Sequence, residues 1–100
     1  MNNKHYILKD IKPIEVDLFT WGKWVEESKE RIIKQETLEN GKRISTVFLG
    51  LDHSFNSDKI LLFETMVFPD EKTFSELDMN RYSTYEEAIK GHQEMVDKWK

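Results

Sequence analysis

The residue least expected in its surroundings is Glu64, which stands in the middle of the apolar run LLFETMVF. A buried carboxylate is costly unless it is paired or hydrogen-bonded. Two interpretations follow. Glu64 could be a general base or could accept a hydrogen bond from a ligand. It could equally be held by a structural partner such as Arg81 or Thr46, and the sequence leaves both interpretations open.

Two histidines could also do chemistry. His92 falls within the apolar stripe of the C-terminal segment, where it is either a core histidine or a side chain that reaches the sheet beside Glu64 or Thr46. Asp52 and His53 place an acid and a base together where an apolar strand ends, although Asp52 could simply close a turn. If the protein is an enzyme, the predicted acid–base residues are Glu64, His92, His53 and Asp52.

A second cluster precedes the C-terminal helix. Arg81 and Tyr82 combine a cation with an aromatic ring, and Ser83 and Thr84 follow at a position where a helix begins. Free N–H groups at a helix N-terminus can bind phosphate. Trp24 has the spacing of a core residue but could stack on a base. The predicted ligand-binding set is Thr46, Asp52, His53, Glu64, Arg81, Tyr82, His92 and Trp24.

These residues require elements to position them. Short strands are predicted at 5–8 and 13–16, followed by a helix over 18–30 with Asp17 as its N-cap. Asn40-Gly41 favours a two-residue type I′ turn between strands 31–38 and 44–51, which would pair Gln35 with Thr46.

Strands 44–51 and 59–68 are apolar on both faces, as central strands are. Residues 69–82 are predicted to be irregular, and a capping box at 83–86 starts a helix that ends near Trp99. The prediction is one α+β domain over 1–100, an antiparallel sheet of order β-β-α-β-β-β-α with both helices on one face. The other face would need a second copy of the chain, a ligand or the 69–82 segment to cover it, and we expect a homo-oligomer.

Composition excludes several classes of function. The 100 residues contain no cysteine and carry a formal charge of -4, so no thiol chemistry and no duplex-DNA binding are expected. The three histidines lack metal-site spacing, and we predict neither a metal nor another cofactor. No apolar stretch reaches the length of a membrane span, which favours the cytoplasm. Nucleophile and nucleotide-fold motifs are absent.

The segments STVFLGLDH (45–53), LFETMVF (62–68) and RYST (81–84) resemble those of small proteins encoded by bacteriophages and prophages, and the resemblance spans nearly the whole chain. It implies a protein made in the cytoplasm of an infected bacterium. Small phage proteins of this kind are often anti-defence factors. The expected function is a non-enzymatic binding module that sequesters a nucleotide-derived immune signal or binds a host defence protein. The alternatives are a small phosphodiesterase or hydrolase and a structural adaptor.

Overall fold

The computed structural model describes residues 4–51 and 60–100, which form two antiparallel sheets and two helices. The elements are β1 His5–Lys9, β2 Lys12–Val16, α1 Leu18–Glu27, β3 Ile32–Thr37, β4 Arg43–Phe48, β5 Phe63–Phe68, β6 Asp78–Tyr82 and α2 Tyr85–Trp99. β1 pairs with β2, and the second sheet has the order β3-β4-β5-β6. The predicted α+β class and element order are confirmed. The segment predicted to be irregular adds one strand, β6, whose polar sequence suits an edge.

Both helices begin at the side-chain caps that their sequences indicate. Asp17 accepts from the Thr20 backbone N–H at 2.7 Å, as predicted. For α2 the capping box lies one residue later than predicted: Thr84 is the N-cap, and its hydroxyl accepts from the Glu87 backbone N–H at 3.1 Å. Because β6 ends only two residues before this cap, the first turn of α2 lies directly beside the edge strand.

The β3–β4 hairpin has a longer loop than predicted. The Leu38 N–H donates to Lys42 O at 2.8 Å, and Gly41 alone of the loop residues has a positive φ, of 89°. This is a three-residue loop over 39–41 and not a type I′ turn. The register therefore shifts by one residue, so that Lys34 and not Gln35 opposes Thr46, and Glu36 opposes Ile44. A shift of one residue moves every side chain of β3 to the other face.

The core lies between the four-stranded sheet and α2, and it has two apolar clusters. The larger is formed by Tyr6, Leu8, Phe48, Leu62, Phe63, Tyr82 and Ala88. The smaller is formed by Ile44, Val67 and Met95. Helix α1 contributes Trp24, whose ring meets that of Phe48 edge-on at 5.6 Å. Phe48 is on the same face as Ile44, so both helices lie on one side of the sheet, as predicted. Along the strands, Thr46 and Thr65 lie between the two clusters.

The sheet face opposite α2 carries paired polar groups among its apolar side chains. Gln35 Nε2 donates to Ser45 Oγ at 2.8 Å, and the Arg43 guanidinium lies 4.3 Å from the centre of the Phe68 ring. This face is thus more polar than the strand pattern predicted. The predicted homo-oligomer remains a prediction. None of the described helices is both long and apolar enough to cross a membrane.

Candidate functional site

Glu64 is buried and paired. Its side chain is opposite Arg81 in the β5–β6 register, and Arg81 Nε donates to Glu64 Oε2 at 2.9 Å. The residue is only 6% exposed, so the ion pair provides the compensation that burial of a carboxylate demands. Of the partners predicted, Arg81 is the one observed. Thr46 is excluded because it points to the helix side of the sheet, whereas Glu64 points away from it.

His92 reaches the sheet beside Thr46, one of the two positions predicted. Its Nδ1 lies 2.7 Å from Thr46 Oγ1, which in turn lies 2.6 Å from Thr65 Oγ1. Its Nε2 lies 2.7 Å from Glu36 Oε1. A neutral imidazole protonated at Nε2 satisfies every group: it donates to Glu36 and accepts from Thr46, which accepts from Thr65. We call these four residues the His92 chain.

The His92 chain has the hydroxyl–imidazole–carboxylate order of a hydrolytic triad, but its location argues against that use. Thr46 and His92 are fully buried, and the Thr46 hydroxyl is already engaged by both Thr65 and His92, so it is not available to a substrate. Glu36, at the far end, is the only partly exposed member. The arrangement holds α2 against the centre of the sheet with its buried polar groups satisfied.

Glu36 is a member of the site that the sequence patterns did not indicate. It stands in the polar strand β3, and the predicted two-residue turn would have placed it on the face away from α2. Only the three-residue loop brings its carboxylate to His92. The available signal was Gly41, since a single glycine in the left-handed region also suits a three-residue loop ending in a G1 bulge.

A groove of about 320 Å³ lies between the edge strand β6 and α2. It is lined by Asp78, Met79, Asn80, Tyr82, Gly91, Glu94, Met95 and Lys98. Gly91 lets the Tyr82 ring pack directly against α2 here, because a Cβ at this position would clash with that ring. We call this site the Tyr82 groove. Its volume is at the lower end of the range for small-molecule sites.

The hydroxyl of Tyr82 is the exceptional group of this groove. Tyr82 is 8% exposed, and its hydroxyl has no hydrogen-bond partner among the described residues. Burial raises the pKa of Tyr82 because it disfavours the phenolate, and the nearby side chains of Thr65 and Asn80 oppose that rise. Both are close enough for this effect, but neither makes a hydrogen bond of good geometry with the Tyr82 hydroxyl. An unsatisfied buried hydroxyl costs about 1–3 kcal/mol, and its retention calls for an explanation.

The predicted ligand-binding residues therefore separate into distinct places. Thr46 and His92 lie in the buried chain, Glu64 and Arg81 pair on the opposite face, and Trp24 packs in the core. Of the set, Tyr82 alone lines the groove. Asp52 and His53 lie outside the described residues.

The acid–base pair considered for an enzyme, His92 with Glu64, is not formed, because the sheet separates them. Across residues 4–51 and 60–100, no group of three or more potential ligands could hold a metal ion.

No family model, no curated protein and no solved structure matches the chain.

Proposed function

We propose that the protein is a non-enzymatic binding module that holds a small ligand in the Tyr82 groove. The observation that carries the proposal is the buried, unpartnered Tyr82 hydroxyl at the wall of a groove lined by polar side chains. A ligand that bonds to this hydroxyl would remove its desolvation cost. Because the oxygen has almost no exposed surface, side chains of the groove must move aside before a ligand reaches it.

Three observations favour binding over hydrolysis. The one hydroxyl–histidine–carboxylate arrangement among the described residues is closed to substrate. The groove itself is lined by neither histidine nor a serine or threonine hydroxyl. Asp78, the groove carboxylate nearest to a cation, is held by Lys98 Nζ at 2.6 Å. These features suit a site that keeps its ligand intact.

The biological setting is the second part of the proposal. The resemblance to phage proteins supports a role in the cytoplasm of an infected bacterium, where the module would sequester a nucleotide-derived signal of host defence. That part rests on analogy with other small phage proteins. A host defence protein as the target is the alternative, and it would not require the groove.

The test removes the Tyr82 hydroxyl and compares ligand binding with and without it. Tyr82→Phe keeps the ring against Gly91 and removes only the unpartnered oxygen, and Tyr85→Phe makes the same change outside the groove. Thermal unfolding of the wild type and both variants is followed with a panel of nucleosides, nucleotides and cyclic dinucleotides, since a bound ligand stabilises the native state. We expect at least one compound to stabilise the wild type and Tyr85→Phe, but not Tyr82→Phe.

The fate of the ligand separates sequestration from catalysis. A compound released by heat and identified by mass spectrometry should be recovered unchanged. A chemically altered product would refute the non-enzymatic proposal. If no compound of the panel stabilises the protein in a way that depends on the Tyr82 hydroxyl, the groove is refuted as the binding site.

A further inference from the structure

The chemistry of the Tyr82 groove limits which ligands it can hold, and this inference rests on the proposed function. Three charged side chains line it: Asp78, Glu94 and Lys98. Asp78 is occupied, because it accepts from Lys98 Nζ at 2.6 Å and from Trp99 Nε1 at 3.1 Å. Glu94 accepts from no other described residue and stays available to a ligand. Two carboxylates, Asp78 and Glu94, and one ammonium, Lys98, give the groove lining a net negative charge. A phosphate group would be repelled here.

The hydrogen-bonding groups form a pattern. The free carboxylate of Glu94 can accept two hydrogen bonds. The Oδ1 of Asn80 accepts from the Arg81 backbone N–H at 3.0 Å, and the Asn80 amide NH₂, which lies near the Tyr82 hydroxyl, is a donor. The Tyr82 hydroxyl can donate or accept. The complementary ligand edge presents two neighbouring N–H donors beside a carbonyl acceptor, which is the Watson–Crick edge of guanine.

The size and walls of the groove agree with a base. About 320 Å³ accommodates one purine but not a whole dinucleotide. Met95 lines it from the helix, and a thioether sulfur makes favourable contacts with a flat ring. The Met79 side chain lies on the opposite face of the sheet, as that of its partner Met66 does. We infer that the groove binds a guanine-type base through Glu94, Asn80 and Tyr82, while the sugar and any phosphates of a nucleotide stay outside it.

The experiment uses ligand-observed NMR or calorimetry to measure the affinity of the protein for four compounds. These are the nucleosides guanosine, inosine and adenosine, and the polyamine spermidine. Inosine lacks the exocyclic amine of guanosine, and adenosine has a carbonyl replaced by an amine. Guanosine should bind at least about tenfold more tightly than inosine, because a hydrogen bond to a charged acceptor is lost. Adenosine should bind more weakly still.

Two glutamate variants on α2 provide the matched comparison. Glu94→Gln should lower guanosine affinity at least about tenfold, because one acceptor becomes a donor that faces another donor. Glu86→Gln removes the same charge in the first turn, outside the groove, and should leave affinity unchanged. Amide spectra and melting temperatures of both variants confirm the fold.

The outcomes distinguish this inference from the proposed function. The guanine-type assignment would be overturned if adenosine or spermidine bound as tightly as guanosine, or if Glu94→Gln kept the wild-type affinity for guanosine. Either result would leave a Tyr82-dependent binding module intact. Loss of guanosine binding in Glu94→Gln and Tyr82→Phe, with Glu86→Gln unaffected, would support both. If no compound in the wider panel stabilises the wild-type protein, the proposed function itself is overturned.

Discussion

The His92 chain predicts an asymmetry between two buried threonines that can be measured. Thr46 is the middle member and takes part in two hydrogen bonds, at 2.6 Å and 2.7 Å, whereas Thr65 is the end member and takes part in one of them. Both residues are fully buried and oppose each other in neighbouring strands. Replacing either with valine exchanges a hydroxyl for a methyl group in nearly the same volume. Thr65→Val is therefore the matched control for Thr46→Val.

The magnitude follows from the groups left unsatisfied. Thr46→Val leaves His92 Nδ1 without a donor and the Thr65 hydroxyl without an acceptor, at about 1–3 kcal/mol for each group. Thr65→Val leaves Thr46 its bond to His92 and costs about 1 kcal/mol. The gain from burying a methyl group is common to both variants and cancels in the comparison. We expect Thr46→Val to be less stable than Thr65→Val by about 1–5 kcal/mol. In a domain of this size, that corresponds to a melting temperature lower by roughly 4–40 °C.

The assay is thermal and urea unfolding followed by circular dichroism, with the urea dependence of the free energy checked for each variant. Equal stability of the two valine variants, or a more damaging Thr65→Val, would refute the hydrogen-bonded chain as described. A further check replaces Thr46, Thr65 and His92 together by apolar residues. This variant should recover part of the loss, because no buried polar partner remains unsatisfied.

Four other predictions concern the rest of the molecule. Gly41→Val forces a β-branched residue to a φ near 89°; it should lower stability by about 1–2 kcal/mol and leave nucleoside affinity intact, and lost affinity at unchanged stability would place the hairpin tip in the site. Glu64→Gln keeps an acceptor for Arg81 and lies on the face away from the groove, so stability should fall by no more than about 1 kcal/mol with ligand affinity unchanged; reduced affinity at full stability would make Glu64 part of the site. Hydrogen bonds from Lys98 and then Trp99 hold the pKa of Asp78 below its usual 3.8. Its contribution to stability is present above that pH and is lost as the pH falls through the lowered pKa, so Asp78→Asn should flatten the acid limb of a stability–pH curve; an unchanged limb would contradict this. Light scattering at micromolar concentration should report at least a dimer, and a monomer near 12.0 kDa would refute the predicted self-association.

Local features of the fold could be predicted from the sequence because the interactions that form them span few residues. Asp17 caps the first helix through a residue three positions away, and a hairpin at Asn40-Gly41 needs only a glycine between two strands. Glu64 was identified from its cost in an apolar strand, and Arg81 was one of the partners considered. His92 was predicted to reach Thr46 as one of two alternatives. Each inference used spacing along a single element or a simple count of charges.

Only the tertiary structure decided which residues meet. The side-chain period of a strand predicts two faces, but the loop length decides the register, and one added residue brought Glu36 to His92. The same alternation put Glu64 and His92 on opposite sides of the sheet, which no single-strand pattern can indicate.

The Tyr82 groove also depends on tertiary structure. Its edge strand β6 is polar and has no periodic apolar signal, and the Tyr82 ring packs directly on α2 at Gly91. Whether a buried hydroxyl finds a partner depends on every element around it, so the sequence could suggest Tyr82 as a binding residue but could not show that its oxygen is left unpaired.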